Sequence, residues 1–154
     1  MDSPIGDLVL TGDGRALLRI DLLADVPLVP GAVPAASAAV LGEAAGQLRA
    51  YFAGERVAFA LPVALEGTEF RRVVWRRIAE IPYGATATYG DLARDLGRPR
   101  AARAVGAANG ANPLPIVLPC HRVIGASGDL IKYGLGGLPN KRRLLDLERA
   151  GHTA

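Results

Sequence analysis

The sequence predicts an α+β protein: a small α/β N-terminal domain over 1–64 and a mainly helical C-terminal domain over 68–154 that carries a helix-turn-helix. Three observations predict it. Two apolar runs flank a turn signal at Gly12, Asp13 and Gly14. From "EGTEF" at 66–70 onward, the apolar residues adopt helical spacing. Two short helical stretches then meet across a corner containing Gly97 and Pro99.

Residues 5–20 read as a hairpin, because Gly and Asp tolerate the positive φ that tight turns need. Residues 21–36 hold Pro27, Pro30 and Pro34 and read as a loop. A helix over 37–53 follows, with Leu41, Ala45, Leu48 and Phe52 on one face and Gly54 as its stop. "RVAFALPV" alternates Val57, Phe59 and Leu61, which predicts a strand ending at Pro62. No candidate nucleophile lies in this part, so its expected role is structural.

In the second part, Phe70, Val73, Val74 and Ile78 form the apolar stripe of a helix that Pro82 and Gly84 break. Thr88 can cap a helix over 89–96, with Asp91 three residues on as a variant of the capping box. Pro99 stands near the start of a third helix, about 100–109, which Gly110 can end. Its Ala and Gly side chains let it lie close to another helix or to the wall of a DNA groove. Arg98, Arg100 and Arg103 cluster here, where phosphates could meet them. Pro139 opens a last helix over 140–150, with Gly151 as its stop.

The totals narrow the chemistry. A single cysteine excludes an internal disulfide, and two histidines with one cysteine cannot build a four-ligand zinc site without carboxylates. No metal and no cofactor are expected. No basic segment followed by an apolar run opens the chain, and no apolar stretch approaches the roughly 20 residues that span a bilayer. A cytoplasmic protein with no membrane association is expected. Lys132 and Lys141 are the only lysines among the 18 basic residues. Arginine suits phosphates and base edges, yet arginine-rich faces also serve as plain solvated surface.

The lone thiol, Cys120, sits beside His121 at the end of "NPLPIVLPCHRVIG". A thiol attacks as its thiolate, so it needs a base or positive charge nearby. Neighbouring side chains on an extended strand point to opposite faces, so the pair is useful only if the backbone bends or a water bridges it. Glu148 is one acid that could orient the imidazole. From the residues alone three readings stay open: a buried structural cysteine, Cys-His acyl transfer or hydrolysis, and nucleophilic attack on a DNA base.

"PCHRV" at 119–123 matches the active-site signature of the O6-alkylguanine-DNA alkyltransferases. The stretch from "FRRVVWRRIAEIPYG" through "PCHRVIGASGDL", residues 70–130, resembles that family's C-terminal domain, and "KRRLLDLE" resembles its closing helix. "SPIGDLVL" and "LRAYFAGE" resemble its N-terminal domain. The resemblance implies a DNA repair protein that moves the alkyl group of O6-alkylguanine, and of O4-alkylthymine, irreversibly onto its own cysteine in a single turnover. Its partner is duplex DNA holding the alkylated base, which is flipped out from the minor groove. The protein is expected to act as a monomer, with cooperative binding along DNA an open matter.

Residue by residue, the resemblance implies that Cys120 is the acceptor, ionised at the bottom of a base-shaped slot. His121 and Glu148 complete a relay with a water between thiol and imidazole. Tyr89 bonds the flipped base and protonates the departing guanine. Arg103 enters the duplex in place of the extruded nucleotide, and Ala102, Ala104 and Gly106 give its helix a smooth surface, flanked by Arg98 and Arg100. Asn112 ties that helix to the active-site turn, and Val123, Tyr133 and Gly134 line the pocket. "YGLGGLPNK" is one residue longer than the commonest family pattern, and Gly134 stands where some members have Ser. The family's zinc-binding cysteines are absent, and the presence of Cys120 separates the chain from related proteins that only sense lesions.

Overall fold

Asp13 shows why the first turn forms. Its carboxylate accepts from the backbone N–H groups of Arg15 and Ala16 at 2.8 and 2.9 Å, and Gly14 takes φ 92°. The turn joins β1, Leu8–Gly12, to β2, Leu17–Leu22, as an antiparallel pair from Leu8↔Leu22 to Gly12↔Leu17. The computed structural model describes residues 1–27, 35–55 and 58–152. The chain divides into two units, Met1–Glu66 and Gly67–Ala154.

In the first unit, helix α1 covers Ala35–Phe52. Ala44, Leu48 and Tyr51 are fully buried along one face, next to the buried Leu8, Leu17 and Ile20 of the hairpin. The expected strand at 56–63 does not form over its described part. Gln47 on α1 accepts from the N–H of Ala60 at 2.9 Å and donates to its carbonyl at 3.0 Å. The side chain thereby takes both backbone groups that a neighbouring strand would have used. Among the described residues, what remains of strand pairing there is a single bridge, Leu17↔Val63. Arg56 and Val57 lie outside the described residues, as does 28–34 of the proline-rich stretch, in which Leu23–Asp25 form a 3-10 turn.

The second unit begins with α2, Glu69–Ala79, whose first turn is capped by the Thr68 hydroxyl accepting from the Arg71 N–H. Val74, Trp75 and Ile78 form its buried stripe, whereas Val73 is exposed. The expected stripe is corrected here by one residue, because the Trp75 indole donates to the Ala108 carbonyl at 2.8 Å and takes the inward position. A two-residue strand β3, Ala87–Thr88, leads into α3, Tyr89–Asp95. Helix α4 covers Ala102–Gly110, and the two pack as a helix-turn-helix. Helix α4 starts two residues later than expected, because Pro99 and Arg100 belong to the turn that the Ala101 N–H closes on the Arg98 carbonyl.

The chain then reaches a 3-10 turn at Cys120–Arg122 and β4, Val123–Ile124. Parallel pairing of Ala87 with Val123 and Thr88 with Ile124 joins that turn to the entry of α3. Helix α5 covers Gly137–His152, longer than expected at both ends. Pro139 is tolerated inside the first turn, where its missing N–H would have no helical partner. Gly151 does not stop the helix. A Cβ there would lie 2.7 Å from the Tyr83 hydroxyl, so the glycine provides room for that ring.

Candidate active site

Cys120 opens the 3-10 turn, so the chain bends between it and His121. The approach is constrained. Ile116 holds φ 77° although it is β-branched and buried, a conformation that costs about 1–3 kcal/mol. Asn112, just beyond α4, donates to the Leu118 carbonyl at 2.8 Å and accepts from the Leu114 N–H at 2.9 Å. Asn109, buried on α4, points its amide toward the Cys120 carbonyl at 3.5 Å.

Cys120 is 5% exposed. Burial pushes its thiol up to about 11, against a hydrogen bond from Asn112, the charge of Lys141 and the backbone N–H groups of Cys120 and His121. The expectation of an ionised sulfur is therefore corrected: at neutral pH the resting group is the thiol. Desolvation outweighs the groups that favour the anion.

His121 is fully buried and its Nε2 lies 2.6 Å from Glu148 Oε1. Glu148 also accepts from Arg122 Nη2 at 2.9 Å on Oε1, and from Arg122 Nε at 2.8 Å and the Gly84 N–H at 3.0 Å on Oε2. Burial raises the Glu148 carboxyl, but its bonds to His121 and Arg122 win and hold it at about 2. Burial pushes His121 below the usual histidine range, helped by Arg122 and Lys141 and opposed by Glu148. At rest the three groups are thus a thiol, a neutral imidazole and a carboxylate anion.

Tyr89 is the first residue of α3, and its hydroxyl is raised chiefly by burial and then by Cys120, while Asn109 lowers it. It keeps its proton at neutral pH. A Cβ on Gly106 would lie 3.6 Å from the Tyr89 ring, so α4 and Tyr89 pass side by side. Tyr133 is buried with its ring 6.5 Å from His121 and near-perpendicular to it. Val123 is buried, and Gly134 is exposed.

Arg103 and Ala104 are exposed in the first turn of α4, with Ala102 and Gly106 half-buried. Arg98 and Arg100 are exposed in the preceding turn. Arg98 is engaged, its guanidinium 5.4 Å from the centre of the Phe70 ring. The structure thus brings Cys120, His121, Glu148, Tyr89 and Asn112 around one turn and sets the arginines on the helix-turn-helix surface.

Three residues of the site were not assigned to it from the sequence. Arg122 follows the Cys-His pair directly. Lys141 is fully buried and donates to the carbonyls of Val123 and Ile131 at 2.7 and 2.8 Å. Asn109 is the third. The available signal was spacing: Lys141, Leu144, Leu145 and Glu148 fall on one helical face, so the apolar stripe of α5 carries a charge at each end.

Comparison with known proteins agrees with this geometry. Residues 69–150 match the family model described as the 6-O-methylguanine DNA methyltransferase, DNA binding domain, and residues 1–65 match its ribonuclease-like domain. A methylated-DNA–protein-cysteine methyltransferase of Mycobacterium leprae is 51% identical over 151 residues, 97% of this chain and 90% of the relative. One of Methanosarcina acetivorans is 46% identical over 150 residues, 96% of this chain and 94% of the relative. The crystal structure of Mycobacterium tuberculosis OGT in complex with DNA superposes with a TM-score of 0.88 at 47% identity, covering 98% of this chain and 91% of that one. With family models matching residues 1–65 and 69–150, and a relative 51% identical over 97% of this chain, the chain belongs to the 6-O-methylguanine DNA methyltransferase family.

Proposed function

We propose that this protein repairs O6-alkylguanine in duplex DNA by moving the alkyl group onto Cys120, once per molecule. One observation carries the reading: Cys120 shares one 3-10 turn with a buried histidine whose Nε2 lies 2.6 Å from the Glu148 carboxylate, and it stands within electrostatic reach of a protonated tyrosine.

The lesion's O6 substituent is inaccessible to a protein thiol inside the base stack, so the nucleotide swings out, at a cost of a few kcal/mol that mispairing lowers. Helix α4 approaches the minor groove along Ala102, Ala104 and Gly106, Arg103 fills the gap, and Arg98 and Arg100 meet phosphates. Val123, Tyr133 and Gly134 line the slot for the base, and Asn112 holds the slot to α4.

The displacement balances without a cofactor. His121 takes the thiol proton through a bridging water as Cys120 Sγ attacks the alkyl carbon. The S–C bond forms, the C–O6 bond breaks, and the electron pair passes to the purine. Guanine is a poor leaving group as an anion, so Tyr89 supplies a proton to it and regains one from the imidazolium side of the relay. The products are an S-alkylcysteine and an unmodified guanine. A thioether offers no easy return to thiol, so the protein is consumed stoichiometrically. The same slot accepts O4-alkylthymine, whose reacting carbon is also bound to a ring-carbonyl oxygen. The protein works as a cytoplasmic monomer on DNA, with residues 68–154 binding and reacting and 1–64 in a structural role.

The test is duplex DNA bearing radiolabelled O6-methylguanine. Label bound covalently to the peptide holding Cys120, with a limit of one methyl per protein, is the expected result. Label released as methanol, or retained on DNA while the protein stays bound, overturns the reading.

A further inference from the structure

We propose that Arg122 is a positioning residue of the transfer: its guanidinium fork shares the Glu148 carboxylate with His121 and so keeps the imidazole uncharged and able to take the Cys120 proton. The inference rests on the proposed transfer to Cys120.

The geometry is that of a fixed fork. Arg122 Nε and Nη2 reach the two oxygens of Glu148 at 2.8 and 2.9 Å, and Nη1 donates to the Ile81 carbonyl at 2.6 Å. Its Cζ lies 5.7 Å from the centre of the Tyr83 ring. With His121 and the Gly84 N–H, both carboxylate oxygens accept twice. Arg122 is 5% exposed and Glu148 not at all. A buried ion pair of this kind is weak evidence for stability, since apolar replacements of similar volume often do as well. Its place one bond from the relay suggests another use.

The charges around the imidazole make that use specific. Glu148 and Lys141 face it from α5, Arg122 from its own turn, the Cys120 thiol precedes it, and the Tyr133 ring meets it edge-on. One anion is set against two cations. With Arg122 removed, Glu148 would give its whole charge to His121, and a buried imidazole facing an unshared carboxylate gains a proton. An imidazolium cannot accept the thiol proton. Lysine is no equal substitute, because a point charge cannot hold two oxygens in one plane.

The experiment compares wild type with Arg122→Met and Arg122→Lys. Single-turnover transfer from methylated duplex is followed between pH 5.5 and 9.5, with the His121 imidazole titrated by NMR. The chain has two histidines, so assignment is direct. Folding is read from binding to unmodified duplex and from the fluorescence of Trp75. In Arg122→Met the His121 titration moves up past neutrality, so transfer at pH 7 falls severalfold and returns near wild type by pH 9. Should the Met variant fail to fold, Arg122→Lys decides, since a single ammonium leaves one carboxylate oxygen to His121. The same limb moves up by less. A rate lowered equally at every pH, with the His121 titration unmoved in the folded variant, overturns the proposal. Wild type that transfers label while the limb stays put sinks this inference alone, and wild type that transfers none sinks the reading beneath it.

Discussion

At the residue scale, burial decides the state of the nucleophile. Cys120 is held at about 11 by desolvation, despite Asn112, Lys141 and two backbone N–H groups that favour the anion. In the proposed transfer, reactivity comes with the substrate, through the neutral imidazole and the proton that Tyr89 keeps, rather than from a thiolate waiting at rest. A small iodoacetamide should therefore alkylate the resting protein slowly at pH 7, with the rate climbing about tenfold per pH unit toward pH 10. A plateau already at pH 7 would show a standing thiolate. The rarity of Cys120 and His121 made both legible in the sequence. Arg122 and Lys141 were hidden because Arg and Lys are ordinarily surface residues, and only the three-dimensional demand of a buried carboxylate and two buried carbonyls brings them inward.

At the element scale, the corner between α3 and α4 is set by a few atoms. Thr88 and Asp91 form a full capping box, the Thr88 N–H reaching Asp91 at 2.8 Å and the Asp91 N–H reaching the Thr88 hydroxyl at 3.0 Å. At the other end Gly97 takes φ 68°, its N–H bonding the Arg94 carbonyl at 2.9 Å while the Arg98 N–H bonds Ala93 at 2.9 Å. This is the Schellman arrangement, in which a left-handed residue ends the helix. Gly97→Val should destabilise the second unit by about 1–2 kcal/mol, since a β-branched residue resists that conformation. Urea unfolding followed by Trp75 fluorescence checks this, and an unchanged midpoint would mean the turn relaxes freely. The capping box, the corner and the hairpin were legible because local side chains dictate them. The short β3–β4 pairing was not, since two residues carry no period. The strand expected near Phe59 failed for a reason no local pattern reveals: Gln47, 13 residues away, claims Ala60.

At the scale of the whole molecule, no described helix is long and apolar enough to cross a membrane. Acid should be its weakness. Glu148 is depressed to about 2, so the unfolded chain binds a proton at a higher pH than the folded one does. The stability it contributes is present above its ordinary value of 4.5 and is lost as pH falls toward 2, by about 3 kcal/mol in all. His121 acts in the same direction from its ordinary 6.5 downward, because it is buried neutral and the unfolded chain takes up the proton first. The urea midpoint of the second unit, read from Trp75, should fall steadily from pH 7 to pH 3. A flat profile would show that the Glu148 carboxyl is not shared as described.

The Arg122–Glu148 fork also bears on how descendants of this sequence can change. Replacing either member alone strands a charge in the interior and costs about 3–5 kcal/mol, a large part of a domain's whole stability. Replacing both together by apolar groups can be nearly neutral for folding. Lineages should therefore keep the two as a set or abandon them as a set, and a lineage that abandons them must find another way to hold its histidine.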